Sequence, residues 1–208
     1  MHTHSKYILL SSLFGIGWIA SIACGFAVFA RYDNTPGRVG AVAAQWPAPG
    51  VALDQQRPTL IMAAHPRCPC TRASIGELAQ IMAQAEGKLS AYVLFVKPAG
   101  ADEAWDQTDL WRSARQIPGV TVLEDRDGAM ANKLGAATSG HTLLYSPDGR
   151  LLFNGGITVS RGHPGDNVGQ SSIVALLGGG AAPRNETLVF GCALADRQSN
   201  QSAAKCRR

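Results

Sequence analysis

The chain opens on an apolar run. From Tyr7 to Ala30 the sequence YILLSSLFGIGWIASIACGFAVFA carries no charged side chain, and roughly 20 helical residues cross a bilayer core. Tyr7 and Tyr32 stand at its two ends, where aromatic belts form. A cleaved signal peptide would have an apolar region of only about 7–15 residues. The run is therefore expected to be an uncleaved single-pass signal anchor over 7–30, behind a short tail, 1–6. Residues 31–57 contain Pro36, Gly37, Gly40, Pro47, Pro49 and Gly50. They are expected to be a linker, with a short strand near Val39 to Val42.

Regular alternation then begins. TLIMAA, 59–64, reads as a strand buried on both faces. Ile75, Leu78, Ala79 and Met82 fall at i, i+3, i+4 and i+7, one face of a helix. Two starts compete for that helix. Ser74 and Glu77 make a capping box, whereas Cys68 as cap puts Pro69 at the first helical position, which suits proline. The earlier start is preferred. LSAYVLFV, 89–96, is a second buried strand, and Asp102 to Gln116 has helical spacing through Trp105, Leu110, Trp111 and Ala114. Val120 to Leu123 is a short strand, Asp127-Gly128 a turn, and Ala129 to Leu134 a short helix closed by Gly135. Thr142 to Tyr145 and Leu151 to Phe153 flank the turn SPDG, a hairpin. Ser171 to Leu177 is a last helix, ended by three glycines. The order β-α-β-α-β-α-β-β-α predicts an α/β domain over 58–195, a mixed sheet covered by helices on both faces, followed by a basic tail, 196–208.

Composition adds limits. With 208 residues, 46% hydrophobic and 16% charged, the chain is globular with one membrane segment. Four basic residues, Arg197, Lys205, Arg207 and Arg208, lie at the end, so much of the net charge of +4 belongs to the tail. No basic stripe interleaved with aromatics marks a nucleic-acid surface. Five cysteines, Cys24, Cys68, Cys70, Cys192 and Cys206, are too few for a disulfide scaffold at this length. Cys24 reads as a small apolar residue of the anchor and Cys206 as incidental. His163 reads as a surface-loop residue, and Asp125, Asp127 and Asp148 as turn residues.

Three stretches carry a resemblance: HPRCPCTRAS, LEDRDGAMANKLGA and TSGHTLLYSPDGRLLFNGGIT. With the element order they resemble the thioredoxin fold, in the membrane-tethered branch of bacterial cytochrome-maturation and peroxiredoxin-like proteins; HPxCPCTRAS is also similar to RedB-like proteins. The resemblance covers roughly residues 55 to 180. It implies exchange with protein thiols or disulfides and no organic cofactor. Two departures stand out. The family motif is C-x-x-C, here C-x-C, so Thr71 takes the place of the second cysteine. The family's cis-proline position is held by His141, after Ser139-Gly140; a trans bond or an altered loop is expected there.

The candidate chemistry follows from these residues. A thiolate at a helix N-terminus is stabilised by the dipole and unpaired N–H groups. Cys68 is expected as an exposed attacking thiolate tuned by Arg67 and Arg72. Cys70 would resolve it through a tight, strained ring, or Cys192 would do so from across the fold. Such chemistry favours a domain on the outer, periplasmic side of a bacterial inner membrane. An alternative is a Cu(I) chaperone with Cys68, Cys70, His65 and His141 as soft donors. A third is a silent tethered interaction domain. Peroxide reduction ranks below these, because the Thr that the peroxiredoxin branch places three residues before its cysteine is missing.

Overall fold

The computed structural model describes residues 2–47 and 50–195. It divides into two units, one ending at Thr35 and one beginning at Pro36. The first is a single helix, α1 (His2–Asp33). Its stretch Leu10–Asp33 has a mean hydropathy of 2.0 and no buried residue, so it is long and apolar enough to cross a membrane. Phe14, Trp18, Ile19, Phe26 and Phe29 are all exposed along it, and the Ser21 hydroxyl donates back to Gly17 O at 2.8 Å.

In the second unit the elements follow the expected order: β1 (Thr59–Ala64), α2 (Pro69–Ala85), β2 (Ser90–Lys97), α3 (Asp109–Arg115), β3 (Val120–Arg126), α4 (Ala129–Leu134), β4 (His141–Tyr145), β5 (Leu151–Gly155) and α5 (Val168–Leu177). The sheet order is β3-β2-β1-β4-β5. β1, β2 and β3 run parallel, and β4 and β5 are antiparallel to their neighbours. This is the thioredoxin-like arrangement. Leu60, Met62 and Ala64 of β1 face Ile75, Leu78 and Ile81 of α2, Leu110 of α3 and Ile173 of α5. Ile61 faces the other way, with Leu143, Tyr145 and Leu134 of α4. The site lies at the end of β1 where it feeds α2.

The preferred start of α2 holds: Cys68, not the Ser74/Glu77 box, is the cap, with extended φ −95° and ψ 116°, and Pro69 opens the helix. Ser74 and Glu77 are buried within it. Glu77 is spent on a loop, accepting from Gly165 N at 2.7 Å and Asn167 Nδ2 at 3.3 Å. α3 begins at Asp109 rather than 102. Thr108 caps it, its hydroxyl accepting from Trp111 N at 3.4 Å. Buried Asp106 is held by Lys97 at 3.3 Å, which fixes the preceding residues as turns.

A second correction, after the start of α3, concerns residues 36–57. No strand forms over 39–42, yet the segment is bound to the domain as a strap. Gly37 N donates to Val189 O at 2.7 Å, Gly40 N to Gly135 O at 2.8 Å, and Leu151 N to Ala44 O at 2.9 Å. The Tyr145 hydroxyl donates to Ala43 O at 3.0 Å, and Trp46 packs edge-on to the Tyr145 ring. Gly135 makes the close approach possible: at φ 76°, a Cβ there would lie 2.3 Å from Ala41 O. Polar and glycine-rich composition hides such a strap, because its bonds are made by backbone. The basic tail and Cys206 lie outside the described residues.

Candidate functional site

Cys68 sits at the first turn of α2. Its N–H donates to His65 O at 3.2 Å, and its carbonyl accepts from Thr71 N at 3.0 Å. Its sulfur is next to Cys192: Sγ to Sγ is 2.7 Å. The sulfurs of Cys68, Cys70 and Cys192 all lie within 4.8 Å of one another. Cys192 arrives from the far end of the domain. The segment 190–194 lies along residues 137–139, with Ser139 N donating to Cys192 O at 2.8 Å and Leu194 N to Ala137 O at 3.1 Å. Gly191 permits this, since a Cβ there would stand 2.0 Å from Ser139 O.

The expectation of an exposed Cys68 is corrected. Cys68 is 1% exposed, while Cys70 and Cys192 are partly exposed. Helix α2 tucks the cap residue against the C-terminal segment and leaves Cys192 toward solvent.

The sulfurs differ in their electrostatics. Burial pushes the Cys68 thiol up. The hydrogen bond from the Cys192 thiol, the Cys192 N–H, and the hydroxyl and N–H dipoles of Thr71 outweigh it and hold Cys68 below the ordinary thiol range. Cys192 is pushed up to about 12, first by burial, then by its bond to Cys68 and that group's negative charge. Burial, then the charge on Cys68, also raises Cys70. Cys68 is thus the most acidic of the three sulfurs.

Thr71, where a C-x-x-C motif would carry its second cysteine, is fully buried. Its Oγ1 lies 2.6 Å from Ser139 Oγ and 3.3 Å from His65 O. Ser139 Oγ also accepts from His65 N at 2.8 Å. The Thr71 hydroxyl donates to His65 O and is also hydrogen-bonded to the Cys68 sulfur. A threonine here supplies a donor but no sulfur, and Cys192 supplies the sulfur.

The arginines are also reassigned. Arg67 stacks over Trp105, 4.7 Å from the ring centroid, and Arg72 pairs with Asp109. Neither is among the leading causes of the shift at Cys68. The cation beside the sulfurs is Arg161, which donates to Gly191 O and favours the charged forms of Cys70 and Cys192. Gly162 brings that loop against Cys70: a Cβ on it would lie 4.0 Å from Cys70 Cα.

The two histidines do not join the sulfurs. His65 packs edge-on to Trp105 at 5.5 Å, and its Nδ1 accepts from Arg67 N at 3.1 Å. His141 pairs with Ala63 across the ladder. Partners share a face, and Ala63 belongs to the cluster with Val96 and Ala131, away from α2. His141 Nε2 lies 2.6 Å from Asn154 Oδ1, and Nδ1 is buried without a partner. Burial lowers its pKa, partly opposed by Asn154. A copper site of two cysteines and these two histidines is therefore not assembled. The peptide bonds around Ser139-Gly140-His141 are trans.

Ser139, Arg161 and Trp105 were not singled out from sequence. Gly191 directly before Cys192 is the one signal that pointed there: a small residue marks a close backbone approach.

Comparison with known proteins gives no matching family model and no matching curated protein. Among solved structures, a hypothetical protein from Sinorhizobium meliloti 1021 superposes with a TM-score of 0.55 at 21% identity, covering 78% of this chain and 96% of its own. An uncharacterized conserved protein from Geobacillus kaustophilus gives a TM-score of 0.57 at 17% identity, covering 79% and 95%. A secreted Mycobacterium tuberculosis disulfide oxidoreductase gives 0.43 at 18% identity, covering 61% and 84%. These likenesses are of fold.

Proposed function

We propose that this thioredoxin-like domain is a membrane-anchored thiol–disulfide oxidoreductase acting on protein thiols or disulfides, with Cys68 and Cys192 as its redox pair. One observation carries the reading: the buried sulfur of Cys68, its pKa lowered, lies 2.7 Å from a second cysteine on a different segment. Thiolate is the form that exchanges. The C-P-C neighbour Cys70 stays within reach as a third sulfur. Helix α1 is the anchor, and an oxidising compartment outside a bacterial inner membrane suits such a pair.

Support for a polypeptide partner comes from the surface. Val159, Val168 and Leu188 are exposed, and all three line one apolar groove of about 620 Å³ that also includes Phe190. Phe190 leads directly into Gly191 and Cys192. A thiol-bearing segment with apolar flanks fits there.

The test is equilibration of the full chain in detergent with defined mixtures of reduced and oxidised glutathione, followed by non-reducing peptide mapping. A disulfide joining the peptides that carry Cys68 and Cys192 supports the reading; all cysteines remaining free at oxidising ratios removes it.

A second reading is soft-metal capture, favoured by three sulfur donors within 4.8 Å. Thiolates suit Cu(I). Here Cys192 takes the place that the sequence gave to histidine. Cu(I) titration against a competing chelator tests it: one tight equivalent that persists in His141→Ala and is lost in Cys192→Ser supports the reading.

A further inference from the structure

The three sulfurs are not equivalent, and their asymmetry assigns a direction to the exchange. We infer that the protein acts as an acceptor of electrons from protein dithiols, and that the partner's thiolate attacks Cys192 while Cys68 is the leaving sulfur inside the fold. This rests on the pairing of Cys68 with Cys192 proposed above and adds which sulfur is attacked and which way electrons flow.

Access comes first. A partner's sulfur cannot reach Cys68, which is 1% exposed and covered by the segment that carries Cys192. Cys192 is partly exposed. Charge comes second. Arg161 lies on the side of Cys70 and Cys192, where it favours negative charge. An approaching thiolate meets that guanidinium. The other end of the reaction is equally prepared. Cys68 caps the N-terminus of α2, whose dipole and unpaired N–H groups favour an anion, and the Thr71 hydroxyl and the Cys192 N–H add to that. The departing sulfur therefore leaves as a stabilised anion. Exchange favours attack that expels the more acidic thiol, and a stabilised reduced form makes a disulfide oxidising.

The steps balance. A partner thiolate attacks Cys192 Sγ; the Cys68–Cys192 bond breaks, and Cys68 leaves with the electron pair as thiolate. The partner is now joined to Cys192 by a mixed disulfide. A second thiolate of the same partner attacks the partner's own sulfur in that bond. Its disulfide closes, and Cys192 leaves and takes up a proton from water. The partner dithiol has lost two electrons, and the pair Cys68 and Cys192 has gained them. No other oxidant enters a single turnover.

Glutathione serves as the probe, because a monothiol stops at the first step. The oxidised full chain in detergent is mixed with reduced glutathione, quenched in acid within seconds and digested with trypsin. The peptide NETLVFGCALADR carries Cys192 and CPCTR carries Cys68 and Cys70. The expected result is glutathione on Cys192 with Cys68 free, in the wild type and in Cys70→Ser, where transfer onto Cys70 is blocked. Arg161→Gln is expected to slow adduct formation by about three- to tenfold at low salt, and Arg161→Lys to restore most of it. An adduct found first on Cys68 or Cys70 overturns the inference and leaves the redox pair intact. Failure to form the Cys68–Cys192 disulfide beforehand overturns both.

Discussion

Replacing Thr71 with valine tests the site's central argument with little change of shape. The hydroxyl is fully buried and makes three contacts, with Ser139 Oγ, His65 O and the Cys68 sulfur. A hydrogen bond to a charged group contributes about 1.5–3 kcal/mol. The Thr71 proton is shared with the His65 carbonyl, so ~1.4 kcal/mol is the better figure, just below that range. One pK unit corresponds to about 1.4 kcal/mol. Thr71→Val should therefore move the thiolate titration of Cys68 up by about one pH unit. The reduced form loses the same stabilisation, and the two-electron potential falls by about 30 mV, toward a more reducing protein. Thiolate absorbance near 240 nm across a pH series reads the first quantity, and glutathione equilibration reads the second. The sign is fixed by linkage. A thiol whose folded pKa is depressed stabilises the reduced fold above the ordinary thiol value, and that contribution is lost as pH falls through the folded value. The variant should narrow that window from its lower end. A titration midpoint unmoved in a folded Thr71→Val protein, or a potential that rises, would show that Thr71 does not act on Cys68.

Other expectations follow from the same contacts. Glu77→Ala removes the acceptor of the exposed Gly165 N–H and of one amide proton of buried Asn167, so the midpoint of urea unfolding should report a loss of about 1–3 kcal/mol, with Glu77→Gln recovering part of it. Tyr145→Phe removes one bond to Ala43 and should cost about 1 kcal/mol in the same assay; no change would mean the strap is dispensable. Gly135→Ala forces a left-handed backbone and a collision with Ala41 O, and a fall of at least ~2 kcal/mol is expected. Removing residues 1–35 should leave the unfolding midpoint unchanged, whereas removing 1–54 should lower it by stripping the strap from β4, β5 and α4; equal midpoints for the two truncations would contradict the packing described.

How much of this was legible beforehand differs by element. The strands Thr59–Ala64 and the helix Ala129–Leu134 matched residue for residue, because their signals are local: an apolar run between breakers, and a short periodic stretch closed by glycine. The helix from Asp102 was misjudged in its first half because apolar spacing continues through Trp105, while a buried Lys97–Asp106 pair and the Thr108 cap decide otherwise. Neither partner's role is visible in its own neighbourhood of sequence.

By itself the sequence determined the apolar N-terminal helix, the alternation that gives a thioredoxin-like sheet, and the placement of Cys68 at a helix start, since Pro69 accepts only that position comfortably. Only the tertiary structure decided which sulfur is buried, which cysteine lies against it, and which cation stands beside the other two sulfurs. Cys192 lies 124 positions from Cys68 along the chain, and Arg67 and Arg72, its sequence neighbours, turn outward to Trp105 and Asp109. Periodicity records which face of an element is apolar; it carries no record of which distant segment closes over that element's end. That closure depends on backbone approaches at Gly191 and Gly135, and those exist only once the sheet has formed.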